Sequence, residues 1–167
     1  MLWMAWMTAV AWTMDCSDLE KAQLRLQVHA SNLSLAGGAS EGDGRRHPQR
    51  VDCSTSTCRV FSEERTLRRY DPTSPLADSE GYVSEVVVNV VKERSAAKAA
   101  ASELRLLARA SVCRHAKIEI ETPAQLVIRI QNEKSPVAVE TLRFSGRNEV
   151  SGWSRTYRDG QQESVEF

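Results

Sequence analysis

Apolar and polar residues alternate along the last third of the chain, the pattern of strands that bury one face. Ile118 and Ile120, for example, alternate with two glutamates. The turns between the alternating segments are short, so consecutive strands are expected to pair antiparallel. Asp159-Gly160 is a two-residue hairpin signal before the last segment. The predicted strands are 117–121, 124–131, 137–144, 150–158 and 161–167.

A different spacing, of three and four residues, predicts one amphipathic helix over residues 95–110. Ser95 can cap its start, and neither glycine nor proline interrupts it. Residues 82–92 precede the helix and are largely apolar and β-branched, which predicts a central strand. The apolar stripe of the helix consists of Ala97, Ala100, Ala101, Leu104, Leu107 and Ala108.

Residues 22–30 alternate strictly between apolar and polar side chains, which predicts a half-buried strand. A capping-box pattern at residues 17–20 indicates a short helical turn before it. A longer helix is the alternative interpretation. Its apolar face would carry Leu19, Ala22, Leu26 and Leu33.

Together these elements predict a single α+β domain over residues 15–167. An antiparallel sheet of about six to eight strands is covered on one face by the principal helix, residues 95–110. Residues 58–70 are expected to form a strand or a hairpin arm. Glycine and proline predict surface loops at 36–50 and 72–81, and the first is long enough to be flexible.

The first fourteen residues contain no charged side chain and three tryptophans. This segment is shorter than the roughly 20 residues that span a bilayer. It resembles the apolar core of a secretory signal peptide, with Ala9 and Ala11 framing a cleavage site. No Lys or Arg precedes it, so a packed N-terminal helix or strand is the alternative. We predict a secreted or periplasmic protein with no transmembrane helix after signal removal.

Four cysteines, an even set, lie beyond the apolar segment. Disulfides persist in oxidising compartments, so paired cysteines and export support each other. Three pairings are possible. We favour a local Cys53–Cys58 bond and a Cys16–Cys113 bond that ties the N-terminus to the end of the helix. Four free buried thiols are the alternative.

Acidic and basic residues balance at 22 each, which makes nucleic acid an unlikely partner. Residues 45–69 are a local exception, with seven arginines against three acidic residues. Such a patch could bind a polyanion. Only Phe61 and Tyr70 are interleaved as stacking aromatics, so a solvated surface is the favoured interpretation. The candidate binding residues are Arg45, Arg46, Arg50, Arg65, Arg68 and Arg69.

The tightest reactive cluster is Cys113 with His115, since a histidine can activate a cysteine nucleophile. Glu119 or Glu121 beside His115 would form an alternative acid/base pair. No glycine-rich oxyanion loop accompanies these residues. The even cysteine count therefore favours a structural, oxidised Cys113.

The sequence thus predicts an exported, disulfide-stabilised, non-enzymatic domain that binds a protein or envelope ligand through loops and sheet surface, with no cofactor. A small secreted hydrolase using Cys113 and His115 is one alternative, and an arginine-rich polyanion binder is another. Zinc held by Cys53 and Cys58 with His47, or with the Cys113–His115 pair, is disfavoured, because the C-x-H spacing is too tight for a usual zinc finger.

Overall fold

The computed structural model describes residues 16–36, 47–54, 57–63, 65–110, 113, 115–131, 133–145 and 149–167. The predicted signal segment, residues 1–14, and most of the predicted loop 36–50 lie outside the described residues. Within the described ranges the elements are α1 (Cys16–Leu35), β1 (Gln49–Cys53), β2 (Cys58–Ser62), β3 (Thr66–Tyr70), β4 (Tyr82–Val86), α2 (Val90–Ala110), β5 (Ala116–Glu121), β6 (Gln125–Ile130), β7 (Val137–Phe144), β8 (Val150–Tyr157) and β9 (Gln162–Glu166).

Five consecutive strands, β5 to β9, form the main sheet in chain order, and every neighbouring pair is antiparallel. At its last turn Gly160 has a φ of +88°, a conformation that favours glycine, and its N–H donates to the carbonyl of Tyr157 over 3.1 Å. The predicted α+β class with antiparallel strands is confirmed. The strands are divided among three sheets, because β1–β2 and β3–β4 form separate hairpins.

The core lies between the main sheet and the two helices. The two helices contact each other, and alanine side chains of both are buried in the core. Trp153 and Leu142 are cross-strand neighbours and fill the sheet side. Each large apolar side chain buried here stabilises the fold by about 1.5–3 kcal/mol. The buried cluster includes Leu19, Ala22, Leu26, Ala97, Ala101, Leu104, Leu126, Ile128, Leu142 and Trp153.

Residues 22–30 are helical, so the predicted strand there is wrong. A second side of α1 packs against β1, where the Asn32 side chain bonds to the backbone of Gln49. Because α1 is covered on two sides, Val28 and Asn32 are buried in addition to the core stripe. Apolar Leu24 and Val28 lie outside the stripe and alternate with Ala22, Leu26 and Ala30, which produces the apparent two-residue period. The stripe itself is Leu19, Ala22, Leu26 and Ala30.

The predicted central strand at 82–92 is also wrong. β4 ends at Val86 and pairs only with β3, outside the main sheet. Helix α2 begins at Val90, five residues before the predicted start, because the Asn89 side chain caps it by accepting a backbone N–H at 3.0 Å. The domain therefore has two principal helices in its described part, where the sequence predicted one. Neither described helix is long and apolar enough to span a bilayer.

Candidate functional site

Two disulfides are present, and they follow the favoured pairing. Cys16, the first residue of α1, is bonded to Cys113 between α2 and β5, with 5.1 Å between their Cα atoms. This bond links positions 97 residues apart and holds the start of α1 near the end of α2. Cys53 and Cys58 are cross-strand partners that close the β1–β2 hairpin. No cysteine in the described residues is free.

The predicted Cys113–His115 pair is not arranged for nucleophilic catalysis. A cysteine nucleophile reacts as its thiolate, whereas the sulfur of Cys113 is bonded to Cys16. His115 is exposed, and Glu119 and Glu121 each pair with an arginine on the surface. The geometry gives no support to a cysteine-dependent hydrolase.

Three of the candidate arginines, Arg50, Arg68 and Arg69, lie on the two hairpins, and Arg65 lies between them. Arg45 and Arg46 lie outside the described residues. Each of these four candidate arginines pairs with a carboxylate, so positive and negative charges alternate on the surface that they form. A polyanion would have to displace these carboxylates to reach the guanidinium groups. The pairs are Arg50–Glu63 at 3.9 Å, Arg65–Glu63 at 3.1 Å, Arg68–Asp78 at 2.8 Å, Arg68–Glu80 at 3.2 Å, Arg69–Asp71 at 3.2 Å and Arg69–Glu85 at 2.8 Å.

Exposed apolar side chains are concentrated in one part of the chain. Of eleven large apolar residues exposed in the described structure, nine lie between residues 60 and 91. Leu67 is 59% exposed, Tyr70 65% and Val91 81%. Single exposed apolar residues are common, whereas several of them together on one surface are typical of an interaction surface. The nine are Val60, Phe61, Leu67, Tyr70, Leu76, Tyr82, Val87, Val90 and Val91.

The centre of this region is the β3–β4 hairpin with its connecting loop, residues 66–86, which we call the arm. Its strands pair from Thr66 opposite Val86 to Tyr70 opposite Tyr82. The extensive contacts of β3 and β4 are with each other rather than with the helices or the main sheet. An isolated two-stranded ribbon is only marginally stable in water. The arm therefore depends on the contacts of its own loop.

Asp78 holds that loop. Its carboxylate accepts the backbone N–H of Tyr82 over 2.9 Å and the guanidinium of Arg68 over 2.8 Å. The Tyr82 N–H, more than the Arg68 guanidinium, holds the pKa of Asp78 below its ordinary value. Gly81 has a φ of +83°, and a Cβ there would lie 3.0 Å from the ring of Tyr70. A side chain at position 81 would therefore disturb both the turn and the ring above it.

An aromatic pair occupies the loop end of the arm. Tyr70 and Tyr82 meet edge to face with ring centroids 5.3 Å apart. The guanidinium of Arg68 lies 4.6 Å from the Tyr82 centroid, a cation–π distance, and its hydrogen bonds to Asp78 and Glu80 hold the pKa of Arg68 above its ordinary value. Tyrosine and arginine are enriched among residues that carry the binding energy of protein interfaces.

The arm was not predicted from the sequence, because the apolar, β-branched composition of residues 82–92 is that of an interior strand. A signal was nevertheless present, since Ser84 and Glu85 are adjacent polar residues that place a polar group on each face of the strand. Asn89 also interrupts the apolar run with a residue that favours helix starts. Both features argue against a strand buried on two faces.

A second polar constellation lies beneath α1 and was also missed. Glu140 and Arg155 are cross-strand neighbours, 0% and 5% exposed, and their side chains bond at 2.6 and 3.0 Å. Gln23 of α1 donates to the other oxygen of Glu140, and Arg155 lies over the Trp153 ring. The sequence does contain a signal for this pair, since Glu140 is two residues before Leu142 on β7 and therefore faces the same, inward side of the sheet. Because the pair is closed to solvent, it joins helix to sheet rather than presenting a reactive group.

A third cluster joins α1, α2 and β1. Nδ1 of His29 lies 2.7 Å from a carboxylate oxygen of Glu93, and the buried amide of Asn32 donates to the same oxygen over 3.1 Å. Asn32 also exchanges two hydrogen bonds with the backbone of Gln49. These contacts fix the start of α2 against the C-terminal half of α1.

Three or more potential metal ligands do not cluster anywhere in the described ranges. Both cysteines of the C-x4-C pair are used in their own disulfide. No protein-family model matches the sequence, and no curated protein shows significant similarity to it.

Proposed function

We propose that this protein is an exported, disulfide-stabilised, non-enzymatic domain that binds another protein through the arm. The observation that carries the proposal is the concentration of nine exposed apolar side chains between residues 60 and 91, with Leu67, Tyr70, Leu76 and Tyr82 on the arm itself and the other five in the segments on either side of it. Burial of apolar surface at an interface is favourable by about 25 cal/mol per Å² before the costs of association. The same contacts would give the arm the packing layer that its two strands lack.

The chemistry of the arm favours a protein over a polyanion. Its arginines already face carboxylates, which lowers their attraction for phosphate or sulfate. Tyr70 and Tyr82 offer large apolar faces with hydroxyl groups, the combination found at protein-binding hot spots. Leu67, on the opposite face of β3, extends the apolar surface to a second side.

Two features support export. Both disulfides require an oxidising compartment to persist. The apolar, uncharged residues 1–14 have the composition of a signal segment. Alkylation of cells with a maleimide at the moment of lysis tests this part. We expect all four cysteines of the native protein to be protected, and four labelled thiols would contradict export.

Photo-crosslinking tests the arm directly. Benzoylphenylalanine in place of Leu67 is expected to give a discrete adduct with a partner protein in the producing cell, whereas the same group in place of Arg129, on the outer face of the main sheet, gives none. The partner identified by mass spectrometry is then purified and its affinity for the domain measured.

Two matched variants decide whether the arm provides the affinity. Leu67→Asp places a charge on the arm, and Leu106→Asp places the same charge on α2 at a leucine of similar exposure, 66% against 59%. Leu67→Asp is expected to weaken binding at least tenfold, equivalent to about 1.4 kcal/mol. Leu106→Asp should leave it unchanged. Equal affinities for the two variants would refute the proposed function.

A further inference from the structure

The main sheet has a free edge at β9. β9 pairs with β8 on one side, and no other described strand pairs with it on the other. The N–H of Tyr157 donates to the Gln161 carbonyl, and that of Phe167 to the Ser151 carbonyl. Odd-numbered residues of β9 thus bond to β8. In an antiparallel ladder the residues between the bonded ones, here the even-numbered residues of β9, direct their N–H and C=O groups away from the neighbouring strand. These are Gln162, Ser164 and Glu166.

A pocket of about 400 Å³ opens beside this edge. It lies between β9, the end of α1 and the start of α2. The contact between His29 of α1 and Glu93 of α2 fixes the two helices relative to each other. Two of its lining residues, Ser164 and Glu166, are edge residues with outward-directed backbone groups. A strand added alongside β9 would therefore lie across the pocket. The lining includes Leu33, Val90, Arg94, Ser164, Val165 and Glu166.

The charges at the pocket favour an anionic group. Arg94 forms no ion pair within the residues that the structure describes, and the first turn of α2, at Val90, adds the positive end of a helix dipole. Glu166 is already bonded to Arg143 across Gly152, which reduces its repulsion of a carboxylate. The apolar wall comes from both helices and from Val165.

We propose that an extended peptide segment of another protein pairs with β9 as a sixth strand, with an apolar side chain in the pocket and a carboxylate at Arg94. Backbone hydrogen bonds along an exposed sheet edge supply the affinity in this mode, and pockets for alternate side chains supply the specificity. Val90 of the pocket wall is also one of the nine exposed apolar residues, but the site lies outside the arm, residues 66–86, and holds whether or not the arm binds a partner. Edge strands left open in this way readily accept a further strand.

Amide hydrogen exchange of the full-length protein tests the pairing residue by residue. The first peptide used is an acetylated octapeptide of alternating valine and threonine ending in glutamate. In the free protein Ser164 and Glu166 are expected to exchange faster than Glu163 and Val165. At about 90% occupancy the peptide should slow Ser164 and Glu166 about tenfold, since exchange then proceeds from the unbound fraction.

Two pairs of variants and peptides separate the backbone and charge contributions. Ser164→Pro removes an outward N–H without breaking the β8 ladder, whereas Ser164→Ala keeps that N–H. Ser164→Pro should abolish peptide binding and Ser164→Ala should retain it. A peptide ending in lysine amide should bind about tenfold more weakly than the glutamate peptide, and Arg94→Gln should remove that difference.

The alternatives give different results. Protection of Ser164 in the free monomer would overturn the proposal by assigning the edge to another segment of this chain. Protection that increases with protein concentration would overturn it by assigning the edge to a second copy. Unchanged exchange with the glutamate peptide, or equal binding by Ser164→Pro and Ser164→Ala, would also refute it.

Discussion

Removing the two disulfides separately should have very different consequences. A disulfide stabilises a fold mainly by restricting the unfolded chain, and the restriction increases with the length of the closed loop. Cys16–Cys113 spans 97 residues and Cys53–Cys58 spans five. All four cysteines are half-buried, so differences in sulfur packing are small by comparison. The test compares the Cys16→Ser/Cys113→Ser and Cys53→Ser/Cys58→Ser double variants.

The chain-entropy relation sets the magnitude. A loop of the longer span corresponds to about 4.7 kcal/mol of stabilisation at 25 °C, and a loop of the shorter span to about 2 kcal/mol. The difference of about 2.6 kcal/mol is more robust than either value, because both variants replace two thiol-derived groups with the same side chain. For a domain of this size the larger loss lowers the melting temperature by roughly 10–20 °C.

Urea unfolding followed by far-UV circular dichroism and by fluorescence of buried Trp153 measures these losses. The dependence of free energy on urea should also increase more for the variant without the long-range bond, because its unfolded chain expands further. The same serine substitutions at the short loop are the control. Equal losses for the two variants, or a larger loss for the local pair, would refute the loop-entropy reasoning.

Two further predictions concern carboxylates. Glu140→Ala leaves Arg155 buried without its partner and should destabilise the fold by about 3–5 kcal/mol. The Glu140→Leu/Arg155→Met double variant should recover much of that loss, as measured by thermal unfolding. Equal melting temperatures for the two variants would contradict a paired buried charge. Because Asp78 has a pKa lowered from 3.8, its contribution to the arm is complete above that value and is lost as the pH falls through the folded pKa. The Tyr82 amide signal in NMR spectra should therefore shift at a pH below 3.8, and Asp78→Asn should remove the transition; a titration at the ordinary value would contradict the hydrogen bond.

The strands of the main sheet could be predicted from the sequence, because the alternation of apolar and polar residues that indicates a strand is a local pattern. Burial alternates most clearly along β7, where Glu140, Leu142 and Phe144 are buried and the residues between them are only half-buried. The Asp159-Gly160 turn then sets the last hairpin, since Gly160 adopts a positive φ. The four cysteines were similarly informative, because an even set in a chain with a signal-like start favours disulfides.

Helix α1 could not be distinguished from a strand by its sequence, because the pattern of its apolar residues depends on which elements cover the helix. The core covers one side and β1 covers another, so Val28 and Asn32 are buried outside the core stripe. Leu24 and Val28, both outside the stripe, alternate with its apolar residues and imitate the period of a strand. Only the packing of β1 on the helix separates the two interpretations.

The two proposed binding surfaces were decided by tertiary structure alone. Periodicity indicates which side of an element is apolar, but not whether another element covers that side. The valines of residues 82–92 have the composition of a core strand, yet β4 pairs only with β3 outside the main sheet, and Val91, in the first turn of α2, is 81% exposed. The outer edge of β9 is likewise unpaired among the described strands, because their order in the main sheet ends there. Local side-chain chemistry thus predicted the strands of the main sheet and the presence of disulfides, whereas the cysteine pairing and the exposure of each element depended on contacts between distant segments.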